Sequence, residues 1–319
     1  MALPELPALG LGTAPLGGLY SPISDDEAQR VIDAAWNHGL RFFDTAPLYG
    51  HGSAERRLGA VLAGRPRDSY VLATKVGRLL RRPGTPSGED AYYKGTPPER
   101  PVFDFSYDGV MRSFEESLGR LGLDRIDILH LHDPDAHEAE ALSGAWRALD
   151  ALRAQGLVRA VGAGMNQWEM LTRFAQAAPF DCFLLAGRYT LLDQSALPTL
   201  LPLCQQRGVR IVAGGVYNSG LLADPRPGAK FNYDDAPPEL IARARRLGDV
   251  CRSHGVPLKA AAMQFPAFHP AVASVLTGAR SVAELDENVA MSRVPITAGL
   301  WDDLRRQGLI ADGAPTPGR

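Results

Sequence analysis

Along the chain, short apolar runs of strand length alternate with segments in which apolar residues return every three or four positions. The runs fall at residues 9–13, 41–44, 70–75, 126–132, 160–164, 182–186, 210–214 and 274–277, eight in all. Between the first two, Ser24 is set as an N-cap with Glu27 three residues on. Ala28, Val31, Ile32, Ala35 and Trp36 follow at helical spacing until His38 and Gly39 close the segment. Residues 107–121 (Val110, Phe114, Leu118, Leu121) and 140–155 (Leu142, Trp146, Leu149, Leu152) repeat the pattern. Each strand thereby gains a helix to cover its outer face. Eight such units predict an α/β fold, a (β/α)8 TIM barrel, as a single domain over residues 1–319. An open doubly wound sheet would want a G-x-G-x-x-G turn after an early strand, which the chain lacks.

Two segments break the rhythm. Residues 78–106, rich in proline, glycine and charge, follow the third strand, and residues 216–238 follow the seventh. Both are therefore long loops at the C-terminal face, where barrel active sites sit. Their aromatics Tyr92, Tyr93, Phe231 and Tyr233 are expected to form a lid or substrate walls.

Charge narrows the class of partner. Lys and Arg number 34 against 36 Asp and Glu, a net charge of -2, so no long-range field favours nucleic acid or an anionic membrane. A small molecule is the expected partner. Cys182, Cys204 and Cys251 have neither metal-type nor redox-type spacing, which fits reduced thiols in a cytoplasmic protein. The N-terminal stretch lacks a basic leader, and no apolar run approaches the ~20 residues that span a bilayer.

Asp44, Lys75 and His132 end the second, third and fourth strands, and Tyr49 lies in the loop just past Asp44. All four are expected at one barrel mouth. A phenol with an ordinary pKa of ~10 exchanges protons poorly near neutrality, and a contacting ammonium lowers that value. Lys75 is set to supply the ammonium, Asp44 to neutralise it, and His132 to orient a substrate oxygen.

These residues, with "LGLGTAPLGG", "FFDTAPLYG", "SAERRLG", "LATKVG", "DRIDILHLHD", "VGAGMN" and "GARSVAELDEN", resemble the aldo-keto reductase superfamily across nearly the whole chain. The resemblance implies a nicotinamide cofactor at the mouth and a catalytic tetrad of Asp44, Tyr49, Lys75 and His132. It also implies cofactor contacts from Thr13, Asp44, Asn166, Ser219, Gly220, Leu221, Gly278, Arg280, Ser281, Glu284 and Asn288. Three positions depart from the family: Met165 precedes Asn166 in place of a serine, Ala186 replaces a glutamine, and Gly214 replaces a ring-stacking aromatic. Asn218 and Ser219 are candidates to supply the lost contacts. Glu284 stands where members that read a 2'-phosphate carry Arg or Gln, so NAD is expected, with NADP admitted only through Arg280.

Further segments, among them "LLAGRYTLLDQ" and "GGVYNSGLLA", are similar to the branch of D-threo-aldose 1-dehydrogenase and L-fucose dehydrogenase, with pyridoxal 4-dehydrogenase as a rival. The expected reaction is oxidation of the anomeric hydroxyl of a free aldose, such as L-fucose or D-arabinose, to the lactone. Tyr49, His132, Asp133 and Arg188 are the expected substrate contacts. Two other readings compete. "HLHD" sets His130 and His132 on one strand face, as a metal-dependent hydrolase would, but His38, His51, His137, His254 and His269 fall mostly in helix ends or loops. A cofactor-sensing protein without turnover would not need the intact tetrad.

Overall fold

In the computed structural model, which describes residues 3–82 and 92–318, eight parallel strands close a barrel. They are β1 (Leu9–Gly12), β2 (Phe42–Asp44), β3 (Val71–Val76), β4 (Ile128–His132), β5 (Ala160–Met165), β6 (Cys182–Ala186), β7 (Arg210–Gly214) and β8 (Val272–Gly278). Successive strands pair, and β1 closes the ring by pairing with both β2 and β8. The expected TIM barrel is the fold that forms.

Local chemistry sets the helices outside it. In α1 (Asp25–Asn37) the Ser24 hydroxyl accepts the Glu27 amide at 3.2 Å. In α2 (Tyr107–Leu121) Ser106 does the same for Gly109 at 3.0 Å. The helix expected over 140–155 starts with Glu138–Glu140, passes through a π-helical turn, Ala141–Ala145, and continues as Trp146–Ala154.

Side chains alternate across a strand, so parity decides what enters the barrel. Phe42, Ala73 and Ile128 belong to the interior cluster, together with Val71, Ala160, Cys182, Leu184, Val212 and Leu276. Counting on by twos, Asp44, Lys75, His130 and His132 share their side. Phe43, Leu72, Leu129 and Leu131 turn outward into the larger core beneath the helices. Space inside is made on β5. A β-carbon on Gly164 would stand 3.4 Å from Lys75 Cε, and one on Gly162 would stand 2.7 Å from the His130 ring and 2.0 Å from the Cys182 carbonyl.

The first insertion is not a plain loop. Arg78–Arg81 pairs antiparallel with Arg100–Phe103, a hairpin whose proline-rich composition concealed it. Residues 83–91, between these strands, lie outside the described residues. The second insertion carries a two-residue ladder, Lys230–Phe231 with Asp234–Asp235. Both fold over the C-terminal face, where Tyr233 lies 5.2 Å from Tyr92 and 6.4 Å from Tyr20, ring centre to ring centre. Phe231 departs from expectation by packing toward the core.

The loop carrying Tyr49 is seated on glycine. A β-carbon on Gly17 would come within 2.6 Å of both the Tyr49 carbonyl carbon and the Gly50 nitrogen, all of it backbone that has no rotamer to yield. Gly17→Ala is therefore expected to lower stability by about 1–3 kcal/mol, read as a lower urea midpoint. An unchanged midpoint would show that this approach is not close in solution.

Candidate active site

Strand parity and the glycine-seated loop bring four side chains to one point. Lys75 Nζ donates to Asp44 Oδ1 at 2.6 Å, to the Thr45 carbonyl at 3.0 Å and to Tyr49 Oη at 3.0 Å. Its three N–H donors are thus all used, as an ammonium 1% exposed requires. Since the Tyr49 oxygen accepts from Lys75, the phenol's own proton is free to point into the cavity. His132 stands edge-on to the Tyr49 ring at 5.7 Å between centres.

The electrostatics correct one expectation. Burial, followed by the charge of Asp44, raises the Tyr49 phenol well above its ordinary range, with Tyr233 and Asp133 adding to the shift and Arg78 opposing it. Without ligand the group is a neutral acid, not a phenolate-leaning base. Burial also raises Asp44, against the lowering pull of Lys75. His132 is held neutral by burial and by the cations Arg78 and Lys75. Asp133 Oδ2 lies 3.5 Å from its Nε2, which favours the tautomer protonated there.

Two adjoining cavities, which share Tyr49, Asn166 and Tyr233 in their walls, open from this point. One, ≈ 500 Å³, runs from Asp44 and Tyr49 past Asn166, Gly214, Ser219 and Gly220 to Gly278, Arg280 and Glu284. Glycines line part of its wall, among them Gly187, Gly214, Gly215, Gly220 and Gly278. Here the Cβ that Gly220 lacks would meet nothing within 4 Å, whereas one on Gly278 would strike Pro15 at 2.7 Å. Such a wall lets a flat ring or a pyrophosphate approach backbone closely. Asp44 Oδ2, buried and without a hydrogen-bond partner among the described residues, is an acceptor available at its inner end. The groove therefore fits a dinucleotide. The second cavity, ≈ 350 Å³, is lined by Tyr49, Lys75, Arg78, Tyr92, Tyr93, His132, Asp133 and Tyr233, among others.

Several expected contacts turn elsewhere. Thr13 is fully buried, its hydroxyl donating to the Asp44 carbonyl at 3.0 Å, so it braces the strand end. Leu221 is buried and its amide is spent on the Asn218 carbonyl. Ser281 caps the helix Val282–Arg293 by accepting the Glu284 amide. Asn288 backs the groove, donating to the Gly278 carbonyl and accepting from the Tyr217 hydroxyl. The Asn218 side chain is consumed by Thr190 at 2.7 Å and the Gly187 carbonyl at 3.2 Å, so it does not replace the lost ring contacts. Arg188 binds Asn232 at 3.1 Å and lies 3.5 Å from Asp193, bracing loops away from the substrate cavity. Sequence reading missed Arg78 and Tyr217. Arg78 had a signal, standing three residues beyond Lys75 at the same strand end.

His130 lies one layer below His132, as expected, but is not fully satisfied. Its Nε2 is 3.5 Å from Cys182 Sγ, and its Nδ1 has no partner among the described residues. Burial, aided by Lys75, lowers it to about 3. An unfolded chain takes up this proton below about pH 6.5 while the fold refuses it, so stability falls as pH drops through that window. His130→Leu should flatten the fall in urea midpoint between roughly pH 6.5 and 4. An identical slope in the variant would remove His130 as a cause.

Comparison with known proteins agrees with this geometry. The model of the aldo/keto reductase family matches residues 8–306. Pyridoxal 4-dehydrogenase of Microbacterium luteolum is 47% identical, covering 95% of this chain and 94% of its own. D-threo-aldose 1-dehydrogenase of a Pseudomonas species is 46% identical, covering 98% and 96%. An aldo-keto reductase of Bacillus halodurans, solved in its holo form, superposes with a TM-score of 0.73 at 25% identity, covering 94% of this chain and 91% of that one.

Proposed function

We propose that this chain, an oxidoreductase belonging to the aldo/keto reductase family, oxidises the anomeric hydroxyl of a free aldose to the lactone with NAD. Membership of the family implies an NAD(P)H cofactor. The observation that carries the reading is Lys75 donating at once to Asp44 and to Tyr49, beside a neutral His132, where the two cavities meet. When bound, the nicotinamide supplies the acceptor for the hydride that leaves the sugar carbon. The chain's own part is to hold the substrate oxygen and move its proton. His132 Nε2 donates to that oxygen, and Tyr49 Oη takes the hydroxyl proton as the carbonyl forms. In reduction Tyr49 gives the same proton back.

Because the resting phenol keeps its proton, oxidation needs the minor form in which Tyr49 is ionised and held by Lys75. The sign follows: kcat/KM for oxidation should climb with pH on the alkaline side while that for reduction falls. A flat oxidative profile with unchanged cofactor binding would count against Tyr49 as the proton acceptor. Tyr49→Phe should abolish NADH formation and leave NAD binding near that of the wild type. A fully active Phe variant would refute the assignment.

The cofactor preference rests on Glu284 at the outer end of the groove. Its carboxylate accepts the Arg280 amide at 2.9 Å, and the Arg280 guanidinium is engaged by the Ser21 hydroxyl and the Pro22 carbonyl. A 2'-phosphate would meet a carboxylate and would have to break those bonds, whereas ribose hydroxyls can donate to Glu284. Glu284→Arg should move the NAD:NADP ratio of kcat/KM toward NADP by about tenfold or more. No change in the ratio would remove Glu284 as the reader.

A second reading, oxidation of pyridoxal in its hemiacetal form, is favoured by the tyrosines Tyr92, Tyr93 and Tyr233 around the substrate cavity and by equal similarity to the pyridoxal enzyme. The carboxylate of Asp133 in that same wall favours the polyhydroxylated substrate.

A further inference from the structure

Beside the proton-moving group stands a charge pair that does not itself carry the proton. Arg78 donates through one terminal nitrogen to Asp133 Oδ2 at 2.9 Å, and its guanidinium lies over the Phe103 ring at 4.4 Å. The pair is built with some strain. Gly77, at φ 97°, turns the chain so that Arg78 faces back into the mouth, and a β-carbon there would strike the Phe105 ring at 2.1 Å. Asp133 holds a left-handed φ of 44°, costly for a residue with a β-carbon, while its amide donates to the Gly164 carbonyl at 3.1 Å. Residues kept in such conformations cluster where a side chain has a task.

What the pair leaves unsatisfied indicates the task. Arg78 Nε is buried and has no hydrogen-bond partner among the described residues. Asp133 Oδ2 is engaged, while the carboxylate as a whole is 33% exposed in the cavity wall. A buried donor next to an available acceptor matches a hydroxyl group, which both accepts and donates. The position of that hydroxyl follows from His132. The carboxylate is 3.5 Å from the nitrogen that would hold the reacting oxygen, so an oxygen on the neighbouring carbon falls within its reach.

We infer that Arg78 and Asp133 form a clamp that reads the hydroxyl on the carbon next to the reacting one, making Arg78 a specificity-determining residue for 2-hydroxyaldehydes and their cyclic hemiacetals. The Arg78 guanidinium donates to that hydroxyl and Asp133 accepts its proton. The inference rests on the reading that the substrate oxygen sits between Tyr49 and His132. A substrate without the neighbouring hydroxyl leaves a buried guanidinium donor unpaired, the situation in which hydrogen-bonding sites discriminate most strongly.

The test compares glyceraldehyde with propanal in the reductive direction, followed by NADH consumption. The two differ in the hydroxyl at issue, and neither requires the enzyme to be an aldose dehydrogenase. Wild-type enzyme should prefer glyceraldehyde in kcat/KM by about 10- to 100-fold. Asp133→Asn, which tolerates the left-handed backbone, and Arg78→Met should each bring that ratio toward one. Arg78→Lys, which keeps the charge but loses Nε and the planar fork, should restore only part of it. A wild-type ratio near one, or a ratio unchanged in folded variants, overturns the clamp. Failure of wild-type enzyme to oxidise any free aldose, with the glyceraldehyde preference intact, would instead overturn the proposed reaction and leave the clamp standing.

Discussion

An ammonium has been taken out of water at the mouth of this barrel, and the arrangement around it follows from that. Burying an ion costs several kcal/mol even after relaxation, about as much as many domains can spare. Lys75 is tolerated because Asp44, one strand over, meets it at 2.6 Å and because a backbone carbonyl and the Tyr49 oxygen take its other protons. The pair fixes much else. Gly164 keeps β5 clear of the lysine stem, Thr13 ties down the Asp44 carbonyl, and the contact of Gly17 with Gly50 seats the loop that delivers Tyr49.

The same burial sets the resting chemistry. Lys75 touches the phenol, yet desolvation and the neighbouring carboxylates outweigh that contact, so Tyr49 rests with its proton on and His132 rests neutral. Both groups are therefore donors toward a substrate oxygen before any ligand arrives. The specificity we propose is built next to this centre, from residues just past the strands that carry Lys75 and His132. The Arg78 and Asp133 pair lies where a substrate's second oxygen would fall, and the tyrosines of the two insertions wall the rest.

How far the sequence told this depended on whether a residue's position was set by periodicity. Asp44, Lys75, His130 and His132 share strand parity with Phe42, Ala73 and Ile128, so counting by twos was enough to send them inward. The barrel itself was legible for the same reason, and the Ser24 cap was legible because its chemistry is local. The partners that Arg188, Thr13 and Asn218 take lie 28 or more residues away, which no local pattern reveals. The hairpin from Arg78 stayed hidden because its pairing is long-range and its strands are flanked by proline. Tyr217 was overlooked in a segment read for its glycines and asparagine, although its hydroxyl holds Asn288.

The measurement that bears most directly on the proposed reaction is the initial rate of NADH formation from L-fucose, D-arabinose, L-galactose and pyridoxal, each with NAD and with NADP. The expected result is NAD-dependent oxidation of at least one sugar, faster than of pyridoxal, with the lactone as product. Turnover of pyridoxal alone, with silence on every sugar, would contradict it.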